Sequence, residues 1–298
     1  MESYQFNNFS TAGISEYLYG SYIKGINTRD LEATKENFMK LSKKLNIPFI
    51  DLLLKKNWYL YNGEYYYFKK MSIAMRILNE LLGEYLSKYM NLPTVEYILA
   101  LDYDKVVGLL SKNFRRREKR YLKADEVNRK TLKPFSVALN KHEIDDFRKT
   151  LDRLIMKDFY SCLMDRGRNT LISVSKLKGV SLEESFDYEL SFVDEREKLE
   201  SNISLFSNAK YDTYYSPLFR SKKLNAFYEE ITYDTLREML EYDDYLNGVF
   251  EYIMNFNMKK ALLDVEDAHN LKIDREMKDY YINFDRARKQ ELRSALNK

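Results

Sequence analysis

The chain has 298 residues, 45% of them hydrophobic and 32% charged, with a formal net charge of +3. Charge this evenly balanced argues against a dedicated nucleic-acid binder, which would carry a clustered cationic excess. Only four prolines and nine glycines exclude a largely disordered chain, and the length suffices for two compact lobes.

Residues 1–25 show no clear period. From Thr28 the spacing of Leu31, Phe38, Leu41 and Leu45 predicts a helix ending before Pro48, and Ile50 to Leu54 add a further helical turn. The period then changes. Trp58–Tyr61, Asn62-Gly63 and Glu64–Lys70 predict a hairpin, because Asn-Gly suits a type I′ turn with positive φ at both central positions. Alternation puts Tyr65, Tyr67 and Lys69 on one face and Tyr66, Phe68 and Lys70 on the other, so one lysine of the pair can face a cleft.

A helix follows from Ser72 to Met90, with Met75, Leu78, Leu82, Tyr85 and Tyr89 as its buried stripe. On that wheel Glu80 and Glu84 fall opposite the stripe, toward solvent. Val95–Ala100 and Lys105–Ser111 read as strands. The basic run Arg115–Arg120 reads as a solvated linker, with a phosphate- or partner-binding patch as its alternative. Beyond it His142 to Phe159 is an amphipathic helix, Thr170–Ser175 and Phe186–Phe192 are strand candidates, and Ile231–Glu241, Tyr245–Met258, Glu266–His269 and Arg275–Leu296 are helices.

Strands segregated from helices in this way predict an α+β chain of two lobes. Residues 1–114 form a strand-rich N-lobe and residues 115–298 a mainly helical C-lobe, with a site in the cleft between them. A lone Cys162 cannot form an internal disulfide and reads as a small buried residue, while His142 and His269 lack metal-ligand spacing. With no apolar run of about 18 residues and a polar start, Met1-Glu-Ser-Tyr-Gln, the expectation is a cytoplasmic protein without membrane attachment.

The chemistry gathers around Asp158–Ser173, an apolar helix running into the charged loop Asp165-Arg-Gly-Arg-Asn169, and around Asp187 after the following strand. Phosphoryl transfer uses such a set. One carboxylate orients a nucleophilic hydroxyl, while an amide oxygen and a second carboxylate hold magnesium against nucleotide phosphates. The bland alternative for the loop is a polar turn with an Asp helix cap.

Several stretches together resemble the HipA-like kinases, a bacterial branch of the protein-kinase-like fold. Tyr66-Tyr67-Phe68-Lys69 is similar to the family's strand with the nucleotide lysine, and Asn79-Glu80 to the helix whose acid pairs with it. Gly108–Phe114 resembles the strand entering the hinge, Asp165–Asn169 the catalytic loop and Phe186-Asp187-Tyr188 the metal-binding acid. The resemblance implies ATP contacts from Lys69, Glu80, Ser111 and Lys112, catalysis by Asp165, and magnesium held by Asn169 and Asp187. It also selects Glu80 over Glu84, which periodicity does not distinguish.

Two features depart from the family pattern. Gly167 stands where the loop histidine belongs and Asn169 comes one residue early, and no glycine-rich phosphate loop precedes Trp58. The function implied is an ATP- and Mg-dependent protein serine/threonine kinase, acting on a protein substrate or on itself, without direct nucleic-acid contact; the resemblance extends to a family whose members can pair with an antitoxin-like partner. The alternatives are a nucleotide-binding pseudokinase, a kinase for a small molecule or lipid headgroup, and a helical interaction protein with no site.

Overall fold

The computed structural model describes residues 13–55, 57–115, 120–123, 141–163, 171–175, 179–189, 191–192, 214–216, 229–231 and 233–297. In chain order they form α1 (Ile14–Tyr17), β1 (Leu18–Tyr19), β2 (Gly25–Asn27), α2 (Lys35–Leu45), α3 (Phe49–Lys55), β3 (Trp58–Tyr61), β4 (Glu64–Lys70), α4 (Ala74–Tyr89), β5 (Tyr97–Asp102), β6 (Lys105–Lys112) and β7 (Arg120–Lys123). There follow α5 (Lys141–Ser161), β8 (Leu171–Ser175), β9 (Gly179–Leu182), β10 (Tyr214–Ser216), β11 (Glu229–Ile231), α6 (Tyr233–Tyr242), α7 (Asp244–Met254), α8 (Met258–His269), β12 (Lys272–Ile273) and α9 (Arg275–Ala295). No described helix is long and apolar enough to cross a membrane.

A five-stranded sheet in the order β2-β5-β6-β4-β3 carries the N-terminal part. The β3–β4 hairpin turns at Asn62 and Gly63 with φ of 48 and 78°, as the Asn-Gly pair demands. The edge strand β2 pairs in parallel with β5 and was not legible in the sequence. Gly25 permits that pairing, since a Cβ there would lie 2.4 Å from Leu99 O.

The first helix starts later than its apolar spacing suggests. Thr28–Asp30 form only a 3-10 turn, and Thr34 caps α2 by accepting from Asn37 N at 3.2 Å. Left-handed Asn46 ends it. Phe38 and Leu41 of α2 and Leu52 of α3 pack with Tyr65, laying this helical pair against one face of the hairpin.

The last helices also differ in their breaks. The span expected as Tyr245–Met258 divides at Asn255-Phe256-Asn257, where Asn257 accepts from Lys260 N at 3.0 Å and starts α8. Phe186–Phe192 is not a strand; β9, residues Gly179–Leu182, pairs with β8 instead. Asp187 adopts φ 66°, and Ser191 N donates to Tyr188 O at 2.8 Å, which closes a turn no strand tolerates. Cys162 is half-buried at the left-handed end of α5. The main core runs without interruption from α4, β5 and β6 through α5 to α9.

At the end of α8, burial, with Lys88 and Lys24 nearby, pushes the His269 imidazole down to about 4. The unfolded chain protonates this residue near pH ~6.5. Because the folded value lies below the unfolded one, the unfolded state binds the extra proton between them, and stability falls as pH falls through that window. The melting temperature should therefore drop less between about pH 7 and pH 4.5 in His269→Gln than in the wild type. Equal drops would show that this imidazole contributes nothing.

Candidate active site

Strand register decides which side chains face the cavity. Tyr67 of β4 lies opposite Ser111 of β6, Lys69 lies opposite Leu109, and Ser111 lies opposite Tyr97 of β5. These residues share one face of the sheet and line a cavity of about 430 Å³. Lys70 is exposed on the other face, so alternation selects Lys69. β6 can approach Lys69 because residue 108 is glycine; a Cβ there would lie 2.2 Å from Lys69 O.

Lys69 is the centre of the charged end. Its Nζ lies 2.7 Å from Glu80 Oε1 and 3.1 Å from Glu189 Oε2, and it also bonds Asp187 Oδ1. Burial works against the charged ammonium, but the Glu80 and Asp187 carboxylates outweigh it and hold Lys69 above the ordinary lysine range.

Glu80 is not the solvent-facing residue its helical wheel suggests. It is fully buried, because α4 is enclosed on almost every side. Its Oε2 accepts from Tyr188 N at 2.8 Å, and it also takes the Tyr97 hydroxyl. With Lys69 on Oε1, this carboxylate holds three donors. Glu84, the rival acid, accepts from Tyr97 N at 2.9 Å and pairs with Lys88.

The segment after β9 is held residue by residue. Ser185 N donates to Pro93 O, and Val95 N to Ser185 O, both at 3.1 Å. Asp187 N donates to Tyr97 Oη at 3.2 Å, and Asn79 Nδ2 to Glu189 O at 2.8 Å. Tyr188 is fully buried, with its hydroxyl 3.1 Å from Ser87 Oγ and 2.9 Å from Thr94 Oγ1, and Lys157 Nζ lies 3.9 Å from its ring centroid. Asp187 accepts the left-handed backbone that Asp tolerates better than most residues.

Away from the charges the cavity is aromatic. Trp58 and Tyr67 meet edge to face at 5.3 Å, and Phe114 and Phe186 approach at 6.4 Å with 35° between planes. Ile47, Asp51 and Leu52, from α3 and the turn before it, form a further wall. Lys112 borders the cavity at the end of β6, with Nζ 3.3 Å from Glu64.

Of the residues singled out in the sequence, Lys69, Glu80 and Asp187 come together, and Ser111 and Lys112 border the same cavity. Asp165 and Asn169 lie outside the described residues, as does most of the Arg115–Arg120 run; Arg115 lines the cavity and Arg120 opens β7. Sequence reasoning gave no role to Asn79, Tyr97, Tyr188 or Glu189. The signal for the last two was their adjacency to Asp187. Asn79 was marked only as the neighbour of Glu80, and Tyr97 gave no signal, because their roles depend on contacts distant in the chain.

No family model matches the chain, and no curated protein matches it by sequence. Solved structures do. HipA, in the Shewanella oneidensis MR-1 toxin–antitoxin complex of HipA, HipB and operator DNA, aligns over 81% of this chain with a TM-score of 0.52 and 11% identity. The chain has the HipA-like kinase fold. It spans 63% of the length of that HipA chain. The proinflammatory kinase CtkA of Helicobacter pylori aligns over 80% of this chain and 89% of its own, at 16% identity and a TM-score of 0.49. Within the HipA-like fold, the Lys69 cluster lies beside the sheet and against α4, with α4 packed in turn on α5 and α8.

Proposed function

We propose that the chain is a phosphotransferase moving the γ-phosphate of ATP, with Mg²⁺, to a serine or threonine hydroxyl of a protein, its own chain included. The observation that supports this most is the Lys69–Glu80 pair facing Asp187 at the end of an aromatic cavity. A compact ammonium on a rigid strand suits the α- and β-phosphates, and Glu80 fixes its position. Ser111, Phe114 and Phe186 offer the flat, largely apolar surface that adenine requires.

The donor set fits magnesium. Among the described residues, Glu80, Asp187 and Glu189 present carboxylate oxygens within 4.8 Å of one another. Such hard oxygen ligands suit Mg²⁺, and Glu80 is already occupied by three donors, which leaves Asp187 and Glu189 to hold it. Magnesium bound there would supply positive charge against the phosphoryl oxygens. Lys69, held in place by Glu80, would present its ammonium to the phosphates beside Asp187 and Glu189. Asn169 completes the proposed ligand set, and Asp165 is the carboxylate proposed to orient the acceptor hydroxyl.

A second reading, a nucleotide-binding pseudokinase, draws support from α3. This helix and Ile47 wall the cavity just before β3, where the chain has no glycine-rich loop to wrap a triphosphate. HipA in the similar structure is assembled with HipB and operator DNA; by that likeness a small antitoxin-like protein is the partner proposed for this chain.

Melting curves with and without ATP and magnesium, beside incubation with γ-labelled ATP, test the reading. Binding should raise the melting temperature and label should enter protein. Asp187→Asn should lose the metal-dependent rise, whereas Asp165→Ala should keep it and lose the label. A rise without label on any protein or metabolite acceptor would favour the pseudokinase. Label on metabolites alone would redirect the substrate class, and no rise at all would overturn nucleotide binding.

A further inference from the structure

Asn79 is the neighbour of Glu80 on α4, fully buried, and directed at the same segment. Its Nδ2 donates to Glu189 O at 2.8 Å, and its Oδ1 accepts from the Tyr281 hydroxyl of α9 at 2.5 Å. The Glu189 carbonyl can only accept, so the amide nitrogen must face it and the amide oxygen must face Tyr281. Tyr281 is fully buried and its hydroxyl also lies 3.3 Å from Met75 O, which ties the donor to the α4 backbone.

We infer that Asn79 is a positioning residue for Asp187 and Glu189, and that Tyr281 orients it. This rests on the reading of Asp187 as a metal-binding acid. Two consecutive residues of α4 hold two consecutive residues of the segment: Glu80 accepts from Tyr188 N and Asn79 donates to Glu189 O. Glu80 is committed to Lys69 as well, so it alone does not fix the rotation of the Glu189 peptide. With that carbonyl held by Asn79, the Glu189 side chain is aimed at Lys69, where its Oε2 lies 3.1 Å from Nζ. Without Asn79 the Glu189 carbonyl loses its donor and can turn about the backbone of Glu189, and the two carboxylates lose their shared direction. The last helix of the chain thereby sets the geometry of the charged end through one amide.

Asn79→Leu keeps the side-chain volume and removes the donor; Tyr281→Phe keeps the donor and removes its orientation. Leu240→Ala, in the buried face of α6, serves as a destabilised control away from the segment. Two readouts are compared on the full chain. Hydrogen exchange of the peptide covering residues 186–192 should speed up about tenfold in Asn79→Leu, the size expected for one lost buried hydrogen bond, less in Tyr281→Phe and not in the control. The Mn²⁺ concentration giving half of the ATP-dependent melting shift should rise about tenfold in Asn79→Leu.

Unchanged exchange in both variants would overturn the inference, as would faster exchange with an unmoved Mn²⁺ midpoint. If Asn79→Leu does not fold, Tyr281→Phe decides by the same two measurements. A wild type with no ATP- and Mn²⁺-dependent shift would overturn the kinase reading instead, and the exchange arm would still decide whether Asn79 holds the segment.

Discussion

Glu80→Ala is expected to lower the unfolding free energy by about 3–5 kcal/mol, the range seen when one partner of a buried charge pair is removed. The substitution removes an acceptor shared by three donors: the Lys69 ammonium, Tyr188 N and the Tyr97 hydroxyl. Lys69 keeps Asp187 and Glu189 as counter-charges and is 27% exposed, which places the result toward the lower end of that range. Glu80→Gln retains an acceptor for Tyr188 N while losing the charge, so its loss should be smaller. Urea unfolding at unchanged m-value measures both. A loss in Glu80→Ala below about 1 kcal/mol would mean that the carboxylate does not organise the site.

Gly83→Ala should also be strongly destabilising, although helix propensity alone predicts a gain of about 1 kcal/mol for the exchange. Gly83 sits inside α4, and a Cβ there would lie 2.3 Å from Tyr188 Cγ. Neither side yields easily. The helix backbone is enclosed, and the fully buried ring is held through its hydroxyl by Ser87 and Thr94. Overpacking of this kind costs about 1–3 kcal/mol or more, and an overlap with a ring carbon belongs at the upper end. Tyr188 follows Asp187 directly, so the variant should also lose the ATP- and metal-dependent melting shift. A variant more stable than wild type, with its nucleotide response intact, would disprove the close contact.

Lys69 and Glu80 mark where the sequence could be read and where it could not. The hairpin that carries Lys69 was legible because strand alternation and an Asn-Gly turn are local signals, and the structure has that hairpin; alternation limited the choice to Lys69 or Lys70, and the resemblance named Lys69. Glu80 was legible only through resemblance. Periodicity put it toward solvent because the amphipathic rule assumes one wet face, and α4 has almost none. Phe186–Phe192 misled for the opposite reason: its aromatic residues pack one at a time, Phe186 on Phe114, Tyr188 on α4 at Gly83 and Phe192 on Tyr281 and Phe284 of α9, not on the face of a sheet. The strand β2 had no local signature, since three residues paired in parallel are defined by β5 rather than by themselves.

The enclosure of α4 has a consequence for cooperativity. Tyr85 bonds Asp264 at 2.5 Å, Tyr89 and Tyr252 stack at 4.6 Å while each donates to the other's carbonyl, and Tyr281 reaches across from α9. A helix that belongs to the sheet by sequence is thus wrapped by the end of the chain. Peeling the sheet away from the helices would expose Leu78, Leu82 and Leu86 to water together with the apolar faces of α7 to α9. The N-terminal sheet is therefore expected to have no separate melting point: a calorimetric scan should show the sheet, α4 and helices α7 to α9 coming apart in one transition, and a separate earlier transition would show that the shared core does not couple them.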